Sequence, residues 1–119
     1  MGESWGDTVT DSPPLLKGTL DLLVLKALTW APMHGFEIVT WLEQRSNGFV
    51  DVDDGALYYA LHRMEERGFI ESEWRLTGNN RKARYYRLLP AGRAHLRTEG
   101  VSLERYARAL ADILALRLG

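Results

Sequence analysis

At Gly68 the spacing of apolar residues changes period, and few folds accommodate the two patterns that meet there. Before it, Leu57, Ala60, Leu61 and Met64 recur at helical spacing on one face, which predicts a helix from Asp53-Asp54 to Arg67. The aspartate pair supplies an N-cap and negative charge at the positive end of the helix dipole. No nucleophile, base or glycine-rich phosphate loop accompanies it, so capping is preferred to catalysis. Gly68 suits the left-handed position just past a helix end. Beyond it, Ile70, Ser72, Trp74 and Leu76 alternate with Glu71, Glu73 and Arg75, the pattern of a half-buried strand. Gly78-Asn79-Asn80-Arg81 is turn chemistry, and a second strand in Ala83 to Leu89 closes a two-stranded hairpin.

Upstream, Leu16 to Trp30 is too dense in leucine for one narrow stripe, which predicts a helix buried on more than one side and ended by Pro32. A second helix runs from His34 to Arg45 through Phe36, Ile38, Val39, Trp41 and Leu42, until Ser46-Asn47-Gly48 stops it. His34, between Pro32 and Gly35, is read as a helix start rather than a switch or ligand. Pro90 opens a last helix to about Leu118, whose stripe of Leu103, Tyr106, Ala107, Leu110, Ile113, Leu114 and Leu118 suits helix-to-helix packing. Gly100 interrupts it at a cost of up to about 1 kcal/mol and marks a bend or a break. Trp30, Trp41 and Trp74, spaced with other apolar residues, are expected in the core, and His95 in solvent. The resulting division is a mobile polar arm over 1–14, a body over 15–89 and a dimerisation helix over 90–119, with Trp5 either idle or folded over the body.

Helix, helix, helix, hairpin, helix is the order of a mainly α, winged helix-turn-helix chain, with a three-helix core and a two-stranded wing. A length of 119 residues predicts a single domain, and the lack of cysteine removes thiol chemistry and cysteine-zinc sites. The three histidines lack metal-ligand spacing, so neither a metal nor another cofactor is expected. Without a signal sequence or an apolar run long enough to span a bilayer, the expected compartment is the cytoplasm, with no membrane partner.

Charge is uneven along the chain. Met1 to Ala60 holds three Lys/Arg against nine Asp/Glu, a net of -6, whereas Leu61 to Arg97 holds nine against four, a net of +5. That basic third coincides with the second half of the third helix and the hairpin, where a groove reader needs to neutralise phosphates. The helix face opposite the core carries Gly55, Tyr59, His62 and Glu66, flanked by Tyr58 and Arg63, and of these Gly55, Tyr58, Tyr59, His62 and Arg63 are the candidate base-reading residues. Asn79, Asn80, Arg81, Lys82 and Arg84 are the candidate phosphate contacts of the wing.

Several segments resemble the PadR family of bacterial transcriptional regulators, over about Leu15 to Leu114. Leu16-Lys17-Gly18-Thr19-Leu20-Asp21-Leu22-Leu23 is similar to the family's first-helix opening, and Met33-His34-Gly35-Phe36-Glu37-Ile38 to its start of the second helix. Gly55-Ala56-Leu57-Tyr58-Tyr59-Ala60-Leu61-His62-Arg63-Met64-Glu65-Glu66-Arg67-Gly68-Phe69-Ile70 resembles the family's "GALYPALHRLEERGLI" and is the most specific match. Asn80 to Leu88 resembles its wing, and Ala91-Gly92-Arg93 its "AGR". Tyr59 stands where the family usually has proline, so no operator sequence carries over, and Leu89-Pro90 replaces its Leu-Thr.

The resemblance implies a homodimeric regulator, a repressor on an inverted repeat in double-stranded DNA, of the compact branch that packs its last helix against the partner's first. The expected interface comprises Leu20, Leu23, Leu103, Tyr106, Leu110, Ile113 and Leu114, because one small core cannot hide both apolar helices. A small-molecule effector near Tyr106 would alter the spacing of the two reading helices. The alternative is a winged-helix module that only assembles with protein partners, and salt dependence separates the two. A small enzyme is not expected, for want of a reactive constellation.

Overall fold

Between Thr19 and Leu28 lies a helix, α1, in which only Lys26 is exposed. The computed structural model describes residues 18–116, so the expected arm over 1–14, Trp5 and the Leu16 start of this helix lie outside the described residues. The helix ends at Leu28, short of the predicted Trp30. Both the amide and the hydroxyl of Thr29 turn back to the Lys26 carbonyl, at 3.1 and 2.6 Å. Trp30 is thereby carried out of the helix and stands 65% exposed, not in the core as the spacing predicts. Its ring is not idle: the Arg45 guanidinium lies over both Trp30 and the half-buried Trp41.

A two-residue strand, β1 (Met33–His34), precedes helix α2 (Gly35–Arg45). His34 caps α2 as expected. Its ring nitrogen Nδ1 accepts from the Glu37 amide at 3.3 Å while Glu37 Oε1 accepts from the His34 amide at 3.0 Å, a reciprocal capping box. Helix α3 (Asp54–Glu66) buries Leu57, Ala60, Leu61 and Met64, the predicted core face. Gly68 follows at φ 76°, in the left-handed region that ends it without a Cβ penalty.

Strands β2 (Ile70–Leu76) and β3 (Lys82–Leu88) pair antiparallel from Ile70↔Leu88 to Leu76↔Lys82. The sheet is three-stranded, in the order β1-β3-β2, because Met33 and His34 pair with Tyr86 and Tyr85. Two residues are too few to display a period, so the sequence predicts only the hairpin. Its alternation also overstates burial: Ile70 is buried, but the strands run past the helices and leave Trp74 62% exposed. Val24, Leu25, Ile38, Met64 and Ile70 form the fully buried centre between the three helices and the root of the sheet.

Pro90 opens helix α4 (Pro90–Leu114), which passes through Gly100 without a break. Glycine costs entropy there but does not remove a backbone donor, so the helical hydrogen bonds continue. The helix ends at Leu114, with Ala115 as its C-cap, short of the predicted end near Leu118. His95 is half-buried and stacks on Phe69 at 4.6 Å, contrary to the solvent position expected. Twenty-five residues make a rod of about 37 Å, which explains a radius of gyration of 16.7 Å where about 13 Å suits a compact domain of this size.

The start of α4 is set by a close approach. Gly92 is buried, and a Cβ there would collide with the Phe69 carbonyl, the group that accepts from the Leu89 amide at 3.0 Å. At Gly100 a Cβ would meet only the flexible end of Leu96. Gly92→Ala is therefore expected to cost about 1–3 kcal/mol, whereas Gly100→Ala is neutral or gains up to about 1 kcal/mol. Thermal melts of the two variants against the parent check the contrast; equal melting temperatures would refute it.

Candidate nucleic-acid interface

The start of α3 is placed by Asp53, whose carboxylate accepts from the Ala56 amide at 2.9 Å in extended backbone. With Leu57, Ala60, Leu61 and Met64 held inside, the opposite face presents Gly55, Tyr58, Tyr59 and His62 to solvent. The rings are ordered against one another. Tyr58 stacks parallel on His62 at 5.9 Å and meets Tyr59 edge-on at 5.8 Å, while His62 Nε2 lies 3.6 Å from Glu66. Polar edges on an aromatic row along the outer face of a helix are what a base-reading surface requires.

Arg63 also reaches back to the first helix. Its Nε and Nη2 donate to the two carboxylate oxygens of Asp21 on α1, at 3.3 and 2.5 Å. This hydrogen bond raises the Arg63 pKa above its ordinary value, so the guanidinium stays charged at any physiological pH. Arg84 is likewise committed. Its Nε donates to Ser72 Oγ at 2.9 Å, Ser72 Oγ donates to Glu65 of α3 at 2.7 Å, and the guanidinium lies over the Trp74 ring. Beside this network the half-buried Tyr86 phenol is pushed above its ordinary pKa by burial, and so remains neutral.

Sequence reasoning named Arg63 and Arg84 but missed their partners Asp21, Glu65 and Ser72. A signal existed for Asp21, an acid inside a helix with almost no outer face. The wing tip turns on Asn80 at φ 62°, with the Thr77 hydroxyl accepting from the Asn79 and Arg81 amides at 3.3 Å. Arg75 pairs with Glu73, and Arg87 with Glu71. Arg81 and Lys82 are then the wing cations with no carboxylate or ring partner among the described residues.

Along α4, Tyr106, Leu110, Ile113 and Leu114 are exposed, Leu114 by 82%, whereas Leu20, Leu23 and Leu103 are half-buried. A cleft of about 450 Å³ separates α1 from α4 and is lined by Asp21, Arg67, His95, Glu99 and Tyr106 among others. Among the described residues no three His, Cys, Asp or Glu side chains converge as a metal site would require, and no helix is long and apolar enough to cross a membrane.

Comparison with known proteins bears on the same residues. The model of the "Transcriptional regulator PadR-like family" matches residues 24–98, more than half of the chain. A transcriptional regulator of Mycobacterium tuberculosis is 44% identical over 77 residues, covering 64% of this chain and 67% of that protein. A PadR family transcriptional regulator from Eggerthella lenta superposes with a TM-score of 0.68 at 27% identity, over 85% of this chain and 86% of that one. A PadR-like transcriptional regulator from Bacillus cereus shares the fold with a TM-score of 0.71 at 24% identity, over 86% and 97% of the two chains.

Removing the cap tests how the reading face is placed. Asp53→Ala should cost about 0.5–2 kcal/mol and Asp53→Asn much less, because asparagine keeps the acceptor. Amide hydrogen exchange should accelerate in the first turn of α3 in the alanine variant alone; acceleration of equal size in both would refute the capping role.

Proposed function

The chain belongs to the PadR-like family of transcriptional regulators, and from that premise we propose that it works as a homodimeric repressor on an inverted-repeat operator in double-stranded DNA. Its family is one of regulators, not of enzymes. The observation that carries the proposal is the aromatic face of α3, followed in the chain by a hairpin whose Arg81 and Lys82 have no carboxylate or ring partner among the described residues. Gly55 allows close approach at the helix start, Tyr58, Tyr59 and His62 meet base edges in the major groove, and Asn79, Asn80, Arg81 and Lys82 follow the neighbouring phosphates. Arg63 and Arg84, engaged by Asp21 and by Ser72, brace the helix and the hairpin instead of touching DNA.

The dimer reading rests on unburied area. Each leucine moved out of water contributes about 1.5–3 kcal/mol, and α4 extends beyond the body with Leu110, Ile113 and Leu114 uncovered. Packing these against Leu20 and Leu23 of a second copy, with Leu103 and Tyr106 at the inner end, buries them in a two-fold interface. It would also hold the two α3 helices about 34 Å apart, one turn of the duplex. A small-molecule effector in the cleft beside Tyr106 would act on that spacing.

Two measurements test the proposal. Arg81→Ala and Lys82→Ala should each weaken binding to all sequences and lower the salt slope by about one, whereas Tyr59→Ala and His62→Ala should lose about 1–3 kcal/mol of discrimination. Affinity that ignores salt would favour the protein-interaction module instead. Leu110→Asp with Leu114→Asp should sediment as a monomer with operator affinity largely lost, and a dimer of wild-type affinity would overturn the interface.

A further inference from the structure

We propose that Asp21 is a positioning residue for DNA recognition: it grips Arg63 from α1 and thereby fixes the rotation of α3, so that Arg63 acts on DNA only through the placement of its neighbours. The inference rests on the DNA-reading role given to α3 above. Asp21 is only 6% exposed, and a carboxylate so placed is retained only if a cation and hydrogen bonds answer it. Arg63 answers with two donors to the two oxygens, a geometry that fixes orientation as well as distance. The pair joins residues 42 apart in sequence, so it ties two elements rather than stiffening one.

Position sets what the tie controls. Tyr59 and Arg63 are four residues apart and lie on one side of α3, and His62 is the next residue round the helix. A guanidinium pulled toward α1 therefore sets how far Tyr59 and His62 are rolled toward the groove. On the far side of α3, Glu65 is held through Ser72 and Arg84, so the helix is braced by polar contacts on two flanks. Exposure of half the Arg63 side chain marks it as a candidate phosphate contact, but its Nε and one Nη are already donating. An arginine bound to phosphate and one bound to Asp21 predict opposite effects of removing Asp21. Release would strengthen the first and misplace the reading face in the second.

Asp21→Asn, Arg63→Lys, Arg63→Ala and the double variant Asp21→Asn/Arg63→Lys distinguish the cases in full-length protein. Lysine keeps a charge for phosphate but loses the two-donor fork. Operator affinity should fall about tenfold in Asp21→Asn and in Arg63→Lys alike, and no further in the double variant, as for one coupled pair. Affinity for non-operator duplex and the salt slope should stay at their parent values in every variant. Hydrogen exchange without DNA should accelerate in α3 of all three single variants and not at the hairpin tip, a readout that needs no operator. Wild-type operator affinity in Asp21→Asn, or a salt slope lowered by about one in Arg63→Ala alone, overturns the proposal. Faster exchange in α3 of these variants, together with a parent protein that selects no sequence from random duplexes, would retain the tie and reject DNA reading, whereas unchanged exchange rejects the tie itself.

Discussion

Everything in this molecule is arranged around a ten-residue helix that has almost no outside. With Leu22, Val24, Leu25, Ala27 and Leu28 buried, α1 is stable only while other elements cover it. Helices α2 and α3, the root of the sheet and the first part of α4 each supply one wall. The same crowding leaves Asp21 little solvent, and the ion pair with Arg63 follows from that constraint as directly as the apolar packing does.

Covering α1 decides what the other elements expose. Once Leu57, Ala60, Leu61 and Met64 of α3 are committed inward, Tyr58, Tyr59 and His62 have only the outward side left. The hairpin is anchored by Ile70 at its root and projects beyond the helices, which frees its basic tip. Gly92 lets α4 start against the Phe69 carbonyl, and from there the helix leaves the body with its later apolar residues uncovered. An aromatic face, a cationic tip and an apolar rod thus come from one packing solution.

Charged side chains divide into two populations. Arg45, Arg63 and Arg84 are spent on rings or carboxylates of the protein, whereas Arg81 and Lys82 at the turn have no such partner among the described residues. Counting basic residues along the chain cannot separate these groups, because a cation is available to phosphate only if the fold leaves it unanswered. The proposed interface is accordingly narrower than the basic third of the sequence.

By itself the sequence determined the features governed by local physics. Helical spacing placed α2, α3 and the inward face Leu57-Ala60-Leu61-Met64, the Asp53 and His34 caps set the helix starts, and Gly68 marked the change to alternation. Residue types at the outer face and the turn pointed to the candidate nucleic-acid surface for the same reason, since period fixes which side each one takes. Only tertiary structure decided what depends on residues far apart in the chain. The pairing of Met33-His34 with Tyr85 and Tyr86, the exposure of Trp30 and Trp74 and the stacking of His95 on Phe69 leave no local trace, and Asp21, out of place in so apolar a helix, does not name Arg63 as its partner. Periodicity reports which face of an element is apolar, but which atoms arrive to meet a given side chain is set only when the elements pack.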